Sequence, residues 1–304
     1  MKRFLVKAFM RLFSWLPLGV HYFNAHILGW LARCVVRYRV KVVRENIDKA
    51  FPEKTPKERK RIFKDFYLHF GQIITETVWF SGSSPKRIRR SRIVTVKNAE
   101  LLDELQAKAD GTIVMFAHCG NWEVLGGFPY FDYGGHQPCL NEHNTANVYK
   151  RLNDPVWDDI LRESRTKAIG PDSDNYVETN SILRHVIEHK KDKMFWFFCT
   201  DQWPYGSAKA YTIVNFMHRK TRSMTAAAAL ARKLGLAVCY LSITRAEGHK
   251  KYICELKPIA DNASSMTDQQ IIEQFYKYIE EDIYTDPRNY LWSHRRWKQR
   301  PDTQ

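Results

Sequence analysis

The stretch TIVMFAHCGNWEVLGGF, residues 112–128, takes an apolar run directly into a pair of titratable side chains. The run Thr112–Ala117 is short and rich in β-branched and apolar residues, which predicts a strand buried in a sheet. His118 follows at its C-terminal end, and Glu123 lies five positions later in a predicted helix. A buried strand that ends on a histidine before a helix predicts an α/β domain with its chemistry at the sheet edge.

The turn after this strand predicts how the two titratable side chains are arranged. Gly120 allows the chain to reverse, and Asn121 is an N-cap candidate for a helix over Trp122–Phe128. A carboxylate against one imidazole nitrogen fixes the tautomer and leaves the other nitrogen as a general base. We therefore expect Glu123 to contact and orient His118. A histidine and a glutamate at this spacing also occur together without any catalytic role, and that alternative stays open.

Strand and helix patterns alternate through residues 93–304, which we predict to form one α/β domain. The predicted strands lie at 93–96, 112–117, 137–140, 194–199, 212–216, 236–245 and 251–259. The predicted helices lie at 99–110, 122–128, 145–165, 176–189, 223–235 and 268–283. This alternation is typical of a mostly parallel central sheet flanked by helices, with reactive groups at the carboxyl ends of its strands.

The positive charge of the chain is concentrated in its first third. The 304 residues include 48 Lys and Arg against 33 Asp and Glu, and residues 1–100 hold 22 basic against 7 acidic side chains. Residues 101–304 hold 26 of each sign. Such a segment favours a polyanionic partner, either nucleic acid or an anionic membrane surface.

The composition of residues 1–40 favours the membrane. This segment interleaves Lys and Arg with Phe, Leu, Trp and Val at helical spacing. We predict a basic amphipathic helix that lies in the headgroup region of a bilayer, and no nucleic-acid partner. Polar residues interrupt the apolar run from Leu12 to Val36, which disfavours a single-pass anchor. The anchor and an ordinary amphipathic core helix both stay open as alternatives.

Residues 41–92 predict a helical subdomain. A first helix ends before Pro52. Thr55, followed by a proline and, three positions on, by Glu58, predicts a capping box that starts a second helix. The basic stretch 81–92 contains Gly, Ser and Pro and predicts a polar loop, at which we place a subdomain boundary.

The motifs of several common chemistries do not occur. The six cysteines show no CxxC spacing, which argues against a disulfide scaffold or zinc finger and fits a reducing compartment. The hydrolase motif GxSxG and the phosphate-binding GxxxxGK motif are absent. Metal-ligand residue types cluster near the titratable pair, but their spacing matches no standard zinc pattern, so we expect no metal. These residues are His118, Glu123, His136, Cys139 and His143.

The sequence HCGNWE, residues 118–123, resembles the His-x4-acid signature of the lysophospholipid acyltransferase superfamily, in the form found in bacterial lipid A biosynthesis acyltransferases. Four further segments are similar to that family and follow in the same order. They are VVRENIDKAFPE (42–53), TDQWP (200–204), TAAAALARKLGLAV (225–238) and RNYLWSHRRWKQRP (288–301). One signature is weak evidence, but five ordered segments that span most of the chain make this family the expectation.

The resemblance implies an O-acyltransferase that moves a fatty acyl chain from a thioester to a hydroxyl of a lipid A precursor, with no cofactor. His118 would take the proton of the hydroxyl, and Glu123 would orient His118. The backbone N–H groups of Gly120–Trp122 and an arginine would stabilise the oxyanion, with Asn121 beside the substrate.

The resemblance also implies substrate-binding residues further along the chain. For the family's arginine near the end of a downstream helix, Arg162 is the better positional match and Arg165 the second candidate. The aromatic-glycine pair that follows this arginine in the family is missing here. Asp201 and Gln202 come after a buried strand, and Arg222 is a candidate phosphate contact. Each of these residues also fits a purely structural role.

The implied partners are an acyl carrier protein or coenzyme A thioester, an anionic lipid acceptor, and the cytoplasmic face of the bacterial inner membrane. The basic stretch Lys86–Arg92 is a candidate site for an acidic carrier protein. Basic side chains and tryptophans near the C-terminus suit either a headgroup interface or packing. They are Trp292, His294, Arg295, Arg296, Trp297 and Lys298.

Two other functions stay open on the sequence. The first is an acyltransferase of the same superfamily that acts on a lysophospholipid, an aminolipid or another glycolipid. The second is a catalytically inactive, membrane-associated lipid-binding protein, against which the intact His118 and Glu123 argue.

Overall fold

A seven-stranded sheet forms the centre of the fold in the computed structural model, which describes residues 2–202, 204, 211–246 and 251–297. The described residues form nine strands, of which seven lie in this sheet and two lie outside it. They are β1 (Val94–Lys97), β2 (Gly111–Phe116), β3 (Thr145–Tyr149), β4 (Tyr176–Glu178), β5 (Met194–Cys199), β6 (Tyr211–Phe216), β7 (Arg219–Met224), β8 (Ala237–Arg245) and β9 (Tyr252–Ala260). The sheet order is β1-β9-β8-β2-β5-β3-β4, and β6 pairs with β7 in a separate antiparallel hairpin. Within the large sheet the pair β8–β9 is antiparallel and every other neighbouring pair is parallel. The predicted mostly parallel sheet is therefore confirmed.

Helices cover both faces of this sheet. They are α1 (Lys2–Ser14), α2 (Leu18–Trp30), α3 (Val40–Ala50), α4 (Pro56–Ser81), α5 (Pro85–Ser91), α6 (Glu100–Lys108), α7 (Pro155–Arg165), α8 (Ile182–Glu188), α9 (Ala226–Leu234) and α10 (Asp268–Thr285). A π-helical turn (Leu31–Val35) extends α2, and 3₁₀ helices lie at Trp122–Tyr130, Ala263–Ser265 and Pro287–Asn289.

The central strand β2 is buried on both faces because it lies in the middle of a covered parallel sheet. Ile113 and Met115 pack into one hydrophobic core, with residues of α3, α4, α9 and α10. Val114 and Phe116 pack into the core on the opposite face. The helical segment 41–80 therefore contributes to the same core as the sheet.

Two start and stop signals of the sequence are confirmed. Thr55 and Glu58 form the reciprocal capping box that begins α4. Gly235 adopts a left-handed conformation after the last turn of α9, which is the conformation that favours glycine at a helix end.

The predicted helix at 145–165 is wrong in its first half. Residues Thr145–Tyr149 form β3, which pairs with β5. The helix begins only after Asp154, whose carboxylate caps it by accepting from the backbone N–H of Val156. A five-residue run with apolar and polar side chains has no decisive period, so the neighbouring strand β5 determines its conformation.

Several other predicted elements differ from the structure. The predicted helix 176–189 divides into β4 and the shorter α8, and the predicted strand 137–140 is irregular. The predicted loop 81–92 contains α5, because Ser84 caps a helix that starts with Pro85. The region before α9 forms β7, which the sequence did not predict.

The N-terminal segment forms two helices, since Pro17 separates α1 from α2. The helix α2 packs closely on α4 at two glycines. A Cβ on Gly71 would meet the carbonyl oxygen of Ala25, and a Cβ on Gly29 would meet the carbonyl oxygen of Tyr67. Among the residues described, no helix is both long enough and apolar enough to cross a membrane.

The close crossing of α2 and α4 predicts a stability difference between two glycines. Gly71→Ala should lower the free energy of unfolding by about 1–3 kcal/mol, because the added methyl group separates the helices. The matched control is Gly19→Ala in α2, where an added Cβ meets no atom within 4 Å. It should leave stability unchanged or raise it by up to about 1 kcal/mol. Chemical denaturation checks both, and a stabilising Gly71→Ala would contradict the predicted close contact.

Candidate active site

The site lies where the neighbouring parallel strands β2 and β5 end. Phe116 of β2 is level with Cys199 of β5, so the residues two positions further on emerge side by side at the carboxyl edge of the sheet. These residues are His118 and Asp201. The Nδ1 atom of His118 lies 2.6 Å from Oδ1 of Asp201, which is hydrogen-bond distance.

The charge of Asp201 determines which imidazole nitrogen carries the proton. Burial alone would raise the pKa of Asp201, but the interaction with His118 outweighs it and lowers the pKa to about 2. Asp201 is therefore a carboxylate at neutral pH and can only accept, so Nδ1 of His118 donates to it. The lone pair of neutral His118 is then on Nε2, 2.9 Å from the side-chain nitrogen of Gln202.

Glu123 has a different partner from the one the sequence predicts. In the described part of the chain, the carboxylate that hydrogen-bonds to His118 is Asp201, while Glu123 pairs with Arg165. Two parallel hydrogen bonds join the guanidinium and the carboxylate, at 3.0 and 2.8 Å, and Trp122 donates a third to Glu123 at 3.1 Å. Burial raises the pKa of Glu123, yet the charge of Arg165 lowers it further, so the net shift is downward. Glu123 is thus a buried carboxylate neutralised by an arginine.

The structure brings Arg165, and not the favoured Arg162, to the site. Arg165 ends α7 and points its guanidinium at Glu123 on the cavity wall. Arg162 instead donates to the carbonyl oxygen of Pro171 at 2.6 Å and lies over the ring of Tyr176. Of the two candidates, Arg165 is therefore the one that lines the cavity.

A cavity of about 550 Å³ opens on these groups. Its polar wall includes His118, Glu123, Arg165 and Gln202. Much of the rest is apolar, with side chains from β2, β5 and the segments around them, among them Phe116, Leu125, Phe198 and Met224. A large cavity with a few convergent polar groups is typical of a site for a mainly apolar ligand.

Cys199 is a cavity residue for which the sequence offered no signal. Its sulfur lies 3.2 Å from Nδ1 of His118 and 3.6 Å from Asp201. Burial, together with the charge of Asp201, raises the pKa of Cys199 well above its ordinary value, which keeps it a neutral thiol. A reactive cysteine needs the opposite shift.

The three side chains His118, Cys199 and Asp201 are also of metal-ligand type, and their ligand atoms lie within 4.8 Å of one another. The 2.6 Å between Nδ1 and the Asp201 oxygen is the length of a short hydrogen bond. Ligands of a tetrahedral zinc ion lie farther apart, at about 3.3 Å. The metal-ligand residue types that lie close together in sequence do not gather around His118 and Asp201. One of them, His136, hydrogen-bonds to Asp103 instead, at 2.6 Å.

Asn121 does not cap the helix and does not line the cavity. Its side chain makes no capping hydrogen bond, and it is fully buried. Its Nδ2 atom donates to Glu76 of α4 at 2.9 Å, and Tyr252 donates to the same carboxylate oxygen at 2.7 Å. Burial raises the pKa of Glu76 despite these hydrogen bonds. Asn121 therefore holds the turn after His118 from behind.

The C-terminal segment holds the same turn from the other side. The N–H of Gly120 donates to the carbonyl oxygen of Asn289, and the N–H of Leu291 donates to the carbonyl oxygen of His118, both at 3.0 Å. Gly120 has φ of +61°, and a Cβ there would meet Ile243, so the predicted turning role of this glycine is confirmed. Sequence periodicity offers no signal for this long-range pairing.

Two residues of the predicted C-terminal headgroup interface are packing residues. Trp292 and Arg296 are fully buried, and Trp297 donates to Thr221 at 2.7 Å. Lys298 lies outside the described residues. Arg222 lies on the β6–β7 hairpin, with its guanidinium over the ring of Tyr211.

A histidine–aspartate pair lies at the edge of an α/β sheet, beside an arginine and a mainly apolar cavity, an arrangement chemically able to move a proton next to an apolar ligand. The chain belongs to the family described as bacterial lipid A biosynthesis acyltransferases, whose model matches residues 1–299, and the protein is an O-acyltransferase.

Curated relatives agree with this family. The chain is 24% identical over 288 residues to the lipid A biosynthesis palmitoleoyltransferase of Escherichia coli strain K12. The matched region covers 94% of this chain and 87% of that protein. It is 24% identical over 289 residues to the lipid A biosynthesis lauroyltransferase of the same organism, covering 94% and 88%. It is 23% identical over 292 residues to the lipid A biosynthesis acyltransferase of Haemophilus influenzae, covering 94% and 87%.

The buried pair of Glu123 and Arg165 predicts an asymmetric effect of substitution. Arg165→Met should lower the free energy of unfolding by about 3–5 kcal/mol, because it leaves a carboxylate buried without a cation. Glu123→Gln/Arg165→Met should lose less, since no charge stays buried. Chemical denaturation at neutral pH measures both.

The difference in free energy of unfolding between wild type and Arg165→Met should depend on pH. The lowered pKa of Glu123 stabilises the wild type above the unfolded pKa, and this contribution is lost as the pH falls through the folded pKa. The difference between wild type and Arg165→Met should therefore shrink below about pH 4. A double variant as unstable as the single one would contradict the buried-charge explanation.

Proposed function

We propose that this enzyme transfers a fatty acyl chain from an acyl carrier protein thioester to a hydroxyl of a lipid A precursor, at the cytoplasmic face of the inner membrane. The observation that carries the proposal is the 2.6 Å contact between Asp201 and His118, which lines a mainly apolar cavity. An imidazole held in one tautomer at such a place is suited to take a proton from a lipid alcohol.

The reaction follows from the direction of that hydrogen bond. Nε2 of His118 removes the proton of the acceptor hydroxyl, and Asp201 stabilises the imidazolium that forms. The hydroxyl oxygen attacks the thioester carbonyl, and a tetrahedral oxyanion results. Its collapse breaks the carbon–sulfur bond, and the leaving thiolate of the carrier takes the proton from His118. The acceptor hydroxyl replaces the Gln202 amide, which lies next to Nε2 in this structure.

The oxyanion requires donors that the rest of the structure does not use. The N–H of Gly120 already donates to Asn289, which removes it from the candidates of the sequence. The N–H groups of Trp122 and Glu123 begin a 3₁₀ helix, and the first N–H groups of a helix have no partner within it. These groups are candidates, together with the N–H groups of Arg165 that do not donate to Glu123. One well-placed donor is worth about 3–4 kcal/mol of transition-state stabilisation.

Two further groups of basic side chains are candidates for contacts with the lipid acceptor and with the carrier protein that brings the acyl donor. A lipid A precursor carries phosphate, for which Arg222 remains a proposed contact. An acyl carrier protein is acidic, and the segment Lys86–Arg92, which includes α5, remains its proposed site. Within that segment Arg87 is already committed, because it donates to the backbone of Ser14 and Leu16. The exposed Lys86, Arg89 and Arg90 would make the contact.

A comparison of two cavity residues tests direct transfer. His118→Ala should lower kcat by about 10²–10⁴, because the general base is lost. Cys199→Ala should stay within about tenfold of wild type, because a thiol with a raised pKa does not act as a nucleophile. Single-turnover assays with labelled acyl carrier protein measure both. An acyl-enzyme that forms on wild type but not on Cys199→Ala would contradict direct transfer.

The acceptor can be determined by offering purified enzyme one labelled donor with several lipids. We expect acylation of a lipid A precursor and little of a lysophospholipid, an aminolipid or another glycolipid, with products identified by mass spectrometry. Preferred acylation of one of the other lipids would retain the catalytic site and refute the proposed substrate. Absence of transfer to any of these lipids would refute the proposed reaction.

A further inference from the structure

One face of α2 is exposed and apolar. Val20, Phe23, Ile27 and Trp30 are 39%, 66%, 45% and 53% exposed, and their spacing of three and four residues places them on one side of the helix. The opposite side, which includes Ala25 and Gly29, packs on α4. A contiguous apolar surface of this kind marks an interaction site. We call these four residues the apolar face of α2.

A basic pocket lies just beyond the C-terminal end of this face. It has a volume of about 470 Å³, and Arg33, three residues after Trp30, is part of its wall. Ile47 and Phe63 supply apolar lining. The cations that line it are Arg33, Arg44, Arg59, Lys60 and Lys64, and this set defines the basic pocket.

The charge of the basic pocket is largely uncompensated. Its one lining carboxylate, Asp48, pairs with Arg59 at 3.1 Å. For the other four cations, no carboxylate partner exists among residues 2–202, 204, 211–246 and 251–297. The surrounding sequence adds to the excess, since residues 33–64 hold 12 Lys and Arg against 4 Asp and Glu. Such a pocket favours an anion with several acceptor oxygens.

We propose that the basic pocket binds the phosphate of an anionic phospholipid while the apolar face of α2 lies among the acyl chains of the same bilayer. The apolar groups lie along α2, and the cations follow at its C-terminal end, from Arg33 in the π-helical turn and from the neighbouring helices α3 and α4. This is the order in which a membrane presents its interior and its headgroups. Trp30 lies at the transition, where tryptophan is favoured. An acidic protein would match the charge of the pocket but not the exposed Phe23 and Ile27. The inference deepens the proposed function, because it specifies how an enzyme of lipid substrates contacts its membrane.

Flotation of the full-length protein with vesicles tests this inference. The probe vesicles contain phosphatidylcholine, with or without phosphatidylglycerol. Wild type should bind the anionic vesicles more strongly, and Lys60→Glu/Lys64→Glu should weaken that binding about tenfold or more. Phe23→Ser should weaken binding to both kinds of vesicle. All three side chains are exposed, so unchanged melting temperatures are expected and serve as the folding check.

Two double variants with the same change in charge are the controls. Lys190→Glu/Lys191→Glu, at the end of α8, should bind as wild type does. Lys41→Glu/Lys57→Glu changes exposed cations of the same basic segment outside the pocket and should lose less than the pocket variant. Equal losses would show diffuse attraction and overturn the pocket, and unchanged binding of Phe23→Ser would overturn the inserted face.

The test also separates a membrane from a carrier protein. If Lys60→Glu/Lys64→Glu binds vesicles normally but raises KM for the carrier-bound donor, the pocket receives the acidic protein and the proposal is wrong. Vesicle binding requires no turnover, so His118→Ala should bind as wild type does. An inactive enzyme with intact vesicle binding would therefore refute the proposed reaction and leave the headgroup site in place.

Discussion

The hydrogen bond between His118 and Asp201 depends on the register of the neighbouring parallel strands β2 and β5, which end at the same height in the sheet. Residues two positions beyond Phe116 and Cys199 meet there, although they are 83 positions apart in sequence. Because Asp201 is buried and ionised, it fixes the proton on one imidazole nitrogen and leaves the other nitrogen basic. The cavity, the arginine and the proposed reaction are all arranged around that second nitrogen.

The turn that carries His118 is supported from two sides by groups far away in sequence. Asn121 is held by the buried Glu76 of α4, and the backbone on either side of Cys119 pairs with that of Asn289 and Leu291. Support of this kind holds a side chain in place more precisely than a free loop can. It also explains why the helical segment and the C-terminal segment belong to the core of this domain.

The sequence determined the parts of the fold that depend on local signals. The buried run before His118, the capping box at Thr55 and the glycine after α9 each carry a local physical cause, and the structure confirms them. Pairings across the chain had no such signal, so Glu123 was assigned to His118 when its partner is Arg165. The nearer carboxylate in sequence was the natural choice, yet strand adjacency decides the contact. The short β3 and β4 were missed for the same reason, because their neighbours in the sheet determine them.

The decisive measurement is the tautomer of His118, which the hydrogen bond to Asp201 should fix. In protein with ¹⁵N-labelled histidine at about pH 9, where a free imidazole is neutral, ring nitrogen chemical shifts report which nitrogen carries the proton. His118→Gln identifies the resonances. We predict a proton on Nδ1 in the wild type, and loss of that preference in Asp201→Asn but not in Glu123→Gln. A proton on Nε2 in the wild type, or a preference that depends on Glu123 rather than Asp201, would contradict the assigned hydrogen bond.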